Sequence, residues 1–95
     1  MRLPERIRHE LKRAAAEAFG EVELVLFGSR LDDRKRGGDF DIAVKCGVDK
    51  HRFRESKIKF FKILFLKDLD LPIDLVHYEE AGSLLKREID KGRRI

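Results

Sequence analysis

Helix-like and strand-like patterns alternate along the 95 residues of this chain, in the order helix, strand, loop, strand, helix, strand, helix. Each helix or strand of a small domain must cover its apolar face with another element. The order therefore predicts an α/β fold, a small sandwich in which helices pack on a sheet of three or four strands. A chain of this length builds one small core, so we expect a single domain over residues 1–95.

Three segments have the apolar spacing of helices. Residues 3–19 repeat apolar side chains every three or four positions, with Pro4 at the start and Gly20 after the end. Residues 50–67 are apolar over more than half of the helical circumference, which is wider than one core-facing stripe. Six residues make up this wide face: Phe53, Ile58, Phe60, Phe61, Leu64 and Phe65. Residues 80–91 form the last helix, with three apolar residues turned inward: Leu84, Leu85 and Ile89.

Three further segments have the composition or the period of strands. Residues 22–27 are β-branched and apolar enough for a strand, despite Glu23, and the strand pattern ends at Gly28-Ser29. Residues 39–45 alternate strictly between two faces, and residues 72–78 alternate after Pro72, which can only begin a strand. The stretch between the first two strands is polar, charged and closed by two glycines, so we expect a loop or a short helical turn there.

Charged residues make up 42% of the chain, so its surface must be largely ionic. Because the chain also lacks Asn, Gln and Thr, its composition is typical of hyperthermophile proteins. The single cysteine, Cys46, excludes an intramolecular disulfide and fits a reducing cytoplasm. No apolar run approaches the roughly 20 residues of a membrane span, and no signal-peptide pattern is present. We therefore expect a cytoplasmic protein with no membrane contact.

Two carboxylates, Asp39 and Asp41, open the second predicted strand. Residues two apart on a strand point to the same face, about 6–7 Å apart along the backbone. Oxygens at this spacing suit two Mg²⁺ ions roughly 4 Å apart, which hold the attacking and leaving oxygens of phosphoryl transfer. Asp74, on the third strand, would add a third carboxylate or a base if that strand neighbours the second. The alternative for each is a charged strand residue that faces water.

A glycine and a serine follow the first strand. Gly28 allows backbone N–H groups to approach a phosphate, and the Ser29 hydroxyl adds one more donor. Arg30 is either a charge-assisted contact to the same phosphates or an ordinary solvated arginine. A glycine, a serine and paired carboxylates after strands are together a more specific signal than any one of them.

A second Asp-x-Asp pair, Asp68 and Asp70, has the same form but no preceding Gly-Ser pair. We interpret it as the end of a helix and a turn.

The histidines give no pattern of a metal site. His9, His51 and His77 share no metal-ligand spacing with Cys46. We therefore interpret the histidines as ordinary residues and Cys46 as a small buried hydrophobe.

The segment LFGSRLDDRKRGGDFDIAV resembles the signature of the DNA polymerase β nucleotidyltransferase superfamily, in particular its minimal nucleotidyltransferases from bacteria and archaea. The segment PIDLVHY and the closing helix with its GRRI tail are similar to that group as well, so the resemblance covers essentially the whole chain. It implies the fold of that superfamily, a mixed sheet of three to four strands with helices packed on it.

Position by position, the resemblance implies that Gly28 and Ser29 bind nucleotide phosphates. It also implies that Asp39 and Asp41 bind metal and that Asp74 is the third catalytic carboxylate. Two departures bear on the geometry of the nucleotide: Gly38 stands where many relatives have serine, and the intervening loop is short. Larger relatives add a helical domain that this chain does not contain, which implies a catalytic core that takes its substrate surface from a partner.

Three classes of function remain open at this point. The resemblance implies first a Mg²⁺-dependent nucleotidyltransferase that moves AMP from ATP to a hydroxyl, such as a tyrosine of a helical HEPN-type toxin. The second class is an antitoxin that neutralises its toxin by binding, with little or no catalysis. The third is a nucleic-acid binder, which the net charge of +4 permits but does not predict. Because the predicted second helix is so widely apolar, we also expect a homodimer or a complex with the partner toxin.

Overall fold

The computed structural model describes residues 3–28 and 40–95, and the structural statements below concern these ranges. Its elements in chain order are α1 (Glu5–Phe19), β1 (Glu23–Phe27), β2 (Phe40–Lys45), α2 (Lys50–Leu66), β3 (Ile73–His77), a 3₁₀ turn (Tyr78–Glu80), α3 (Ser83–Asp90) and β4 (Arg93–Arg94). None of the described helices is long and apolar enough to cross a bilayer.

The four strands form one mixed sheet in the order β3-β2-β1-β4. The central strand β1 is antiparallel to both of its neighbours, β2 and β4, whereas β2 and β3 are parallel. Parallel neighbours need a crossover connection, and α2 supplies it. The predicted fold class, a mixed sheet of three to four strands with helices packed on it, is confirmed.

The two long helices begin and end where local chemistry favours it. Helix α1 follows Pro4 and stops at Gly20, whose φ of 88° is unfavourable for other residues. Helix α2 starts after Asp49, whose carboxylate accepts a hydrogen bond of 2.8 Å from the backbone N–H of Arg52. It ends before Asp68, which has a φ of 60°, so the segment with the second Asp-x-Asp pair leaves the helix in a turn as predicted.

Alternation along the strands places apolar side chains on both faces of the sheet. One face packs against α1 and α2, and its cluster includes Leu11, Ile42 and Phe60, all with no exposed surface. The opposite face carries a smaller cluster, in which Ile89 of α3 packs with Val25, Phe27 and Ala43. The sheet is therefore covered on both sides, but more thinly on the side of α3.

Helix α3 differs from its prediction. The chain first forms the 3₁₀ turn, so the α-helix begins only at Ser83, after Gly82, and has eight residues. Three apolar residues of this helix were predicted to face inward. Of these, Ile89 alone is buried, while Leu84 is 76% and Leu85 is 38% exposed. The helix is so short that it meets the sheet mainly near its C-terminal end, which leaves its first turn open to solvent.

The wide apolar face of α2 is only partly covered. Phe53, Phe60 and Leu64 are buried, whereas Ile58 is 66% and Phe65 is 79% exposed. One helix can turn only one stripe toward a sheet, so an apolar face of this width leaves side chains in solvent. The exposed residues therefore follow from the sequence pattern.

The segment after α3 forms a short strand that the sequence patterns did not reveal. Arg93 and Arg94 pair with β1, and the N–H of Ile95 donates a hydrogen bond of 3.0 Å to the carbonyl of Leu24. Gly92 permits this approach, because a Cβ atom there would lie 2.5 Å from the carbonyl oxygen of Leu26. A glycine at this position thus lets the chain pass close to the central strand.

Candidate active site

Gly28, Asp41 and Asp74 lie in a row across three neighbouring strands at one end of the sheet. Gly28 directly follows β1, Asp41 pairs with Phe27 in β1, and Asp74 pairs with Asp41 in the parallel register of β2 and β3. Residues in register on neighbouring strands point to the same face, and such strands are about 4.8 Å apart. The carboxylates of Asp41 and Asp74 are therefore side by side, as the sequence predicted for strands that neighbour one another.

The carboxylate of Asp41 occupies the space beside Gly28 that a side chain would need. A Cβ atom built on Gly28 would lie 2.5 Å from Oδ2 of Asp41, well inside van der Waals contact. The φ of Gly28 is 80°, which is also a conformation that other residues rarely adopt. Two features therefore require glycine at this position: the positive φ of the backbone and the carboxylate that fills the space of a side chain. The sequence indicated only that a phosphate needs room at this glycine.

The two described carboxylates have the chemistry of a site for a hard divalent cation. Asp41 is half-buried and Asp74 is exposed, on the face of the sheet that α3 covers only in part. Carboxylate oxygens are the ligands that Mg²⁺ prefers, and two neighbouring strands supply them here. The residues present therefore fit such a cation.

Three of the predicted site residues, Ser29, Arg30 and Asp39, lie outside the described residues, and their roles stay predictions. The described part of the predicted site is Gly28, Asp41 and Asp74.

The structure also brings together three residues that the sequence analysis did not connect. Ligand atoms of Cys46, His77 and Glu79 lie within 4.8 Å of one another. The fold thus brings His77 close to Cys46, although the two residues share no metal-ligand spacing along the sequence. Spacing along the chain could not reveal this cluster, because the parallel pairing of β2 and β3 brings the two strand ends together. The available signal was that both residues stand at the C-terminal end of a predicted strand.

Comparison with known proteins identifies the family of the chain. Residues 7–95 match the family of nucleotidyltransferase domains. The chain belongs to this family. The family of this nucleotidyltransferase is the one that its Gly-Ser and Asp-x-Asp segments indicated. The activity of this class of protein is nucleotidyl transfer. Members of the family generally use a nucleoside triphosphate and a divalent metal ion.

The fold of this nucleotidyltransferase is also similar to that of a solved protein. In a crystal structure of a mutant toxin–antitoxin pair, MntA–HpeT, one chain superposes with a TM-score of 0.64 at 24% sequence identity. The match covers 97% of this nucleotidyltransferase and 71% of that chain. A sequence search of curated proteins found no match. The structural likeness shows a shared fold.

Proposed function

We propose that this domain transfers AMP from ATP to a protein hydroxyl, with Mg²⁺ held by Asp39, Asp41 and Asp74. The observation that carries the proposal is the pairing of Asp41 with Asp74 beside Gly28. The ends of three strands lie next to one another there. A triphosphate would therefore find carboxylates for its metal ion beside the backbone of Gly28, which has no side chain to exclude it. Gly28 and Ser29, with Arg30, would bind the β- and γ-phosphates.

In the proposed reaction the oxygen of the acceptor hydroxyl forms a bond to the α-phosphorus of ATP. The bond between that phosphorus and the bridging oxygen of the β-phosphate breaks, and pyrophosphate leaves. The hydroxyl proton passes to Asp74, which is exposed and accessible to an acceptor, or to solvent. Mg²⁺ held by Asp39, Asp41 and Asp74 would supply positive charge that offsets the charge of the phosphates. The chain contributes mostly orientation and electrostatic stabilisation.

The proposed acceptor is a tyrosine of a helical HEPN-type toxin. Its support is the similarity of the fold to one chain of the MntA–HpeT toxin–antitoxin pair. Further support comes from the exposure of Asp74, since a site that is open on one side needs another surface to present the hydroxyl and exclude water.

A second function is favoured by the exposed apolar side chains. Ile58 and Phe65 on α2 and Leu84 on α3 are each more than 60% exposed, which is typical of surfaces that bind another chain. The domain would then neutralise a toxin by complex formation, with little or no catalysis. This alternative requires the same helix faces but not the carboxylates.

Label transfer distinguishes the two functions. The proposed partner toxin is sought as the product of the gene beside the one that encodes this chain. The protein is incubated with that product and with ATP labelled at the α-phosphate or, separately, at the γ-phosphate. We expect label on the partner only from α-labelled ATP, only with Mg²⁺, and at least tenfold less with Asp41→Asn or Asp74→Asn. The matched controls Asp68→Asn and Asp70→Asn change the other Asp-x-Asp pair and should transfer normally.

Two results would contradict the proposed transfer. One is toxin neutralisation without any transfer of label, which would establish the binding function instead. The other is an equal loss of transfer in Asp41→Asn and Asp68→Asn, because the effect would then not depend on the row of residues at the strand ends.

A further inference from the structure

We propose that Cys46, His77 and Glu79 form a second metal site, for a borderline-soft divalent cation of the Zn²⁺ type. A sulfur, an imidazole nitrogen and a carboxylate oxygen are the three ligand types that Zn²⁺ takes in proteins. The site would be separate from the carboxylate row and is independent of the proposed nucleotidyl transfer.

Two of the three distances within the cluster are close to those that a tetrahedral ion requires, and all three ligand atoms lie within 4.8 Å of one another. Nε2 of His77 lies 3.5 Å from Oε1 of Glu79, and Sγ of Cys46 lies 3.8 Å from the same oxygen. Bonds of about 2.0–2.3 Å to a tetrahedral Zn²⁺ place neighbouring ligand atoms roughly 3.4–3.6 Å apart. Small side-chain movements would therefore complete the three bonds, and the fourth position would hold water.

The imidazole of His77 supplies an independent reason to expect a ligand. The residue is only 8% exposed, and its Nε2 is buried without a hydrogen-bond partner among the described residues. A buried polar atom left unsatisfied destabilises a protein, so such atoms normally have a partner. This nitrogen points toward Glu79, the place where the proposed ion would sit. A bound cation would satisfy it.

The surroundings hold the ligands in place. The ring of His77 stacks on Phe53 at a centroid distance of 4.4 Å and an interplanar angle of 2°. The backbone N–H of Cys46 donates a hydrogen bond of 3.4 Å to Oε1 of Glu79. An ion here would join the ends of β2 and β3 to the 3₁₀ turn that leads into α3.

The two metal sites would lie at opposite ends of the same two strands. Cys46 directly follows β2 and is five residues from Asp41, or about 16 Å at 3.3 Å per residue. Asp74 and His77 are an odd number of residues apart on β3, so their side chains point to opposite faces of the sheet. The ligand types also differ, since only oxygens are predicted at one end and sulfur and nitrogen occur at the other. The sites should therefore select different metals.

Cobalt spectroscopy on protein without an affinity tag tests this proposal. Metal-free protein is titrated with Co²⁺ in excess Mg²⁺ and then with Zn²⁺. We expect one equivalent of Co²⁺ to give a thiolate-to-cobalt charge-transfer band together with tetrahedral ligand-field bands. Zn²⁺ should abolish both and raise the melting temperature. The absence of a charge-transfer band in excess Mg²⁺, or a band that Zn²⁺ does not remove, would overturn the proposal.

Substitutions of two of the proposed ligands and of control residues test where the Co²⁺ ion binds. Cys46→Ser should lose the charge-transfer band, and Glu79→Gln, a change at a partly exposed residue, should weaken Co²⁺ binding by about tenfold or more. Glu80→Gln is the matched control, because the neighbouring Glu80 carboxylate pairs with Lys50 at 3.5 Å instead. It should bind Co²⁺ normally, as should the double variant Asp41→Asn/Asp74→Asn. Equal binding by Glu79→Gln and Glu80→Gln, or loss of the band in the double variant, would refute the assignment.

Discussion

At the scale of single residues, the site depends on contacts that a sequence shows only indirectly. Gly28 was predicted from phosphate binding, yet the structure adds the Asp41 carboxylate as a neighbour that excludes a side chain. The place of Asp74 beside Asp41 could be predicted for neighbouring strands, because its position in an alternating strand is visible in the sequence. The cluster around His77 could not, because its members come from different strands and a turn.

Gly28→Ala should damage both folding and nucleotide binding. The positive φ at this position costs an alanine about 1–3 kcal/mol, and the new Cβ would also displace the Asp41 carboxylate. The matched control is Gly20→Ala, which has a φ of 88° but no atom within 4 Å of the added Cβ. Denaturant unfolding should show a lower free energy of unfolding in both variants. Calorimetry should show weaker Mg²⁺-dependent ATP binding in Gly28→Ala alone, and unaltered binding there would contradict the geometry.

Ser29→Ala tests the predicted phosphate donor. If the hydroxyl donates to a charged phosphate, its removal should weaken triphosphate binding by about 1.5–3 kcal/mol, while AMP binding changes little. The measurement is calorimetric titration with ATP and with AMP. An ATP affinity equal to that of the unmodified protein would make Ser29 an ordinary turn residue.

At the scale of elements, prediction succeeded where periodicity and end signals agree. The observed bounds of α1 and α2 fall within their predicted ranges, because proline, glycine and aspartate mark their ends. Prediction failed for β4, whose two arginines have no period and become a strand only through pairing with β1. It failed partly for α3, because the chain after β3 first forms the 3₁₀ turn, which shortens the helix.

The packing of α1 against α2 should depend on pH. Nζ of Lys67, just after α2, lies 3.0 Å from Oε2 of Glu10 in α1, and this hydrogen bond lowers the pKa of Glu10 below its ordinary value of 4.5. A carboxyl whose pKa is lower in the folded state stabilises the fold above its unfolded pKa. That contribution disappears as the pH falls through the folded value.

Glu10→Gln should therefore lower the melting temperature at neutral pH and reduce its dependence on pH below about 4.5. Thermal unfolding followed by circular dichroism across this range measures both. Glu17→Gln, an exposed position on the same helix, is the control and should follow the unmodified protein. An identical acid response in Glu10→Gln would show that the ion pair does not stabilise the helix pair.

At the scale of the whole molecule, the exposed apolar residues indicate that the domain associates with another chain. Phe65 of α2 is 79% and Leu66 is 72% exposed. Burial of such side chains contributes about 25 cal/mol per Å² of apolar surface, so a partner surface should cover them. We expect a homodimer of the isolated protein or a heteromer with the proposed toxin partner.

Phe65→Ser should weaken this association by about tenfold or more, because a large apolar side chain is lost from the surface that is covered. Sedimentation at tens of micromolar, with and without the neighbouring gene's product, measures it. Lys62→Ser, an exposed polar position of the same helix, is the control. A monomer that does not change in sedimentation when the second protein is added would contradict the expectation.

The two outer strands of the described sheet also determine how the protein can aggregate. β3 has five residues, follows Pro72 and exposes the charged Asp74, while β4 consists of two exposed arginines. Short, charged or proline-flanked edges are poor templates for a further strand from another molecule. Heating or concentration should therefore drive contacts through the apolar helix residues, giving amorphous rather than fibrillar material. The fluorescence of an amyloid-binding dye should not increase when the dye is added to such precipitates.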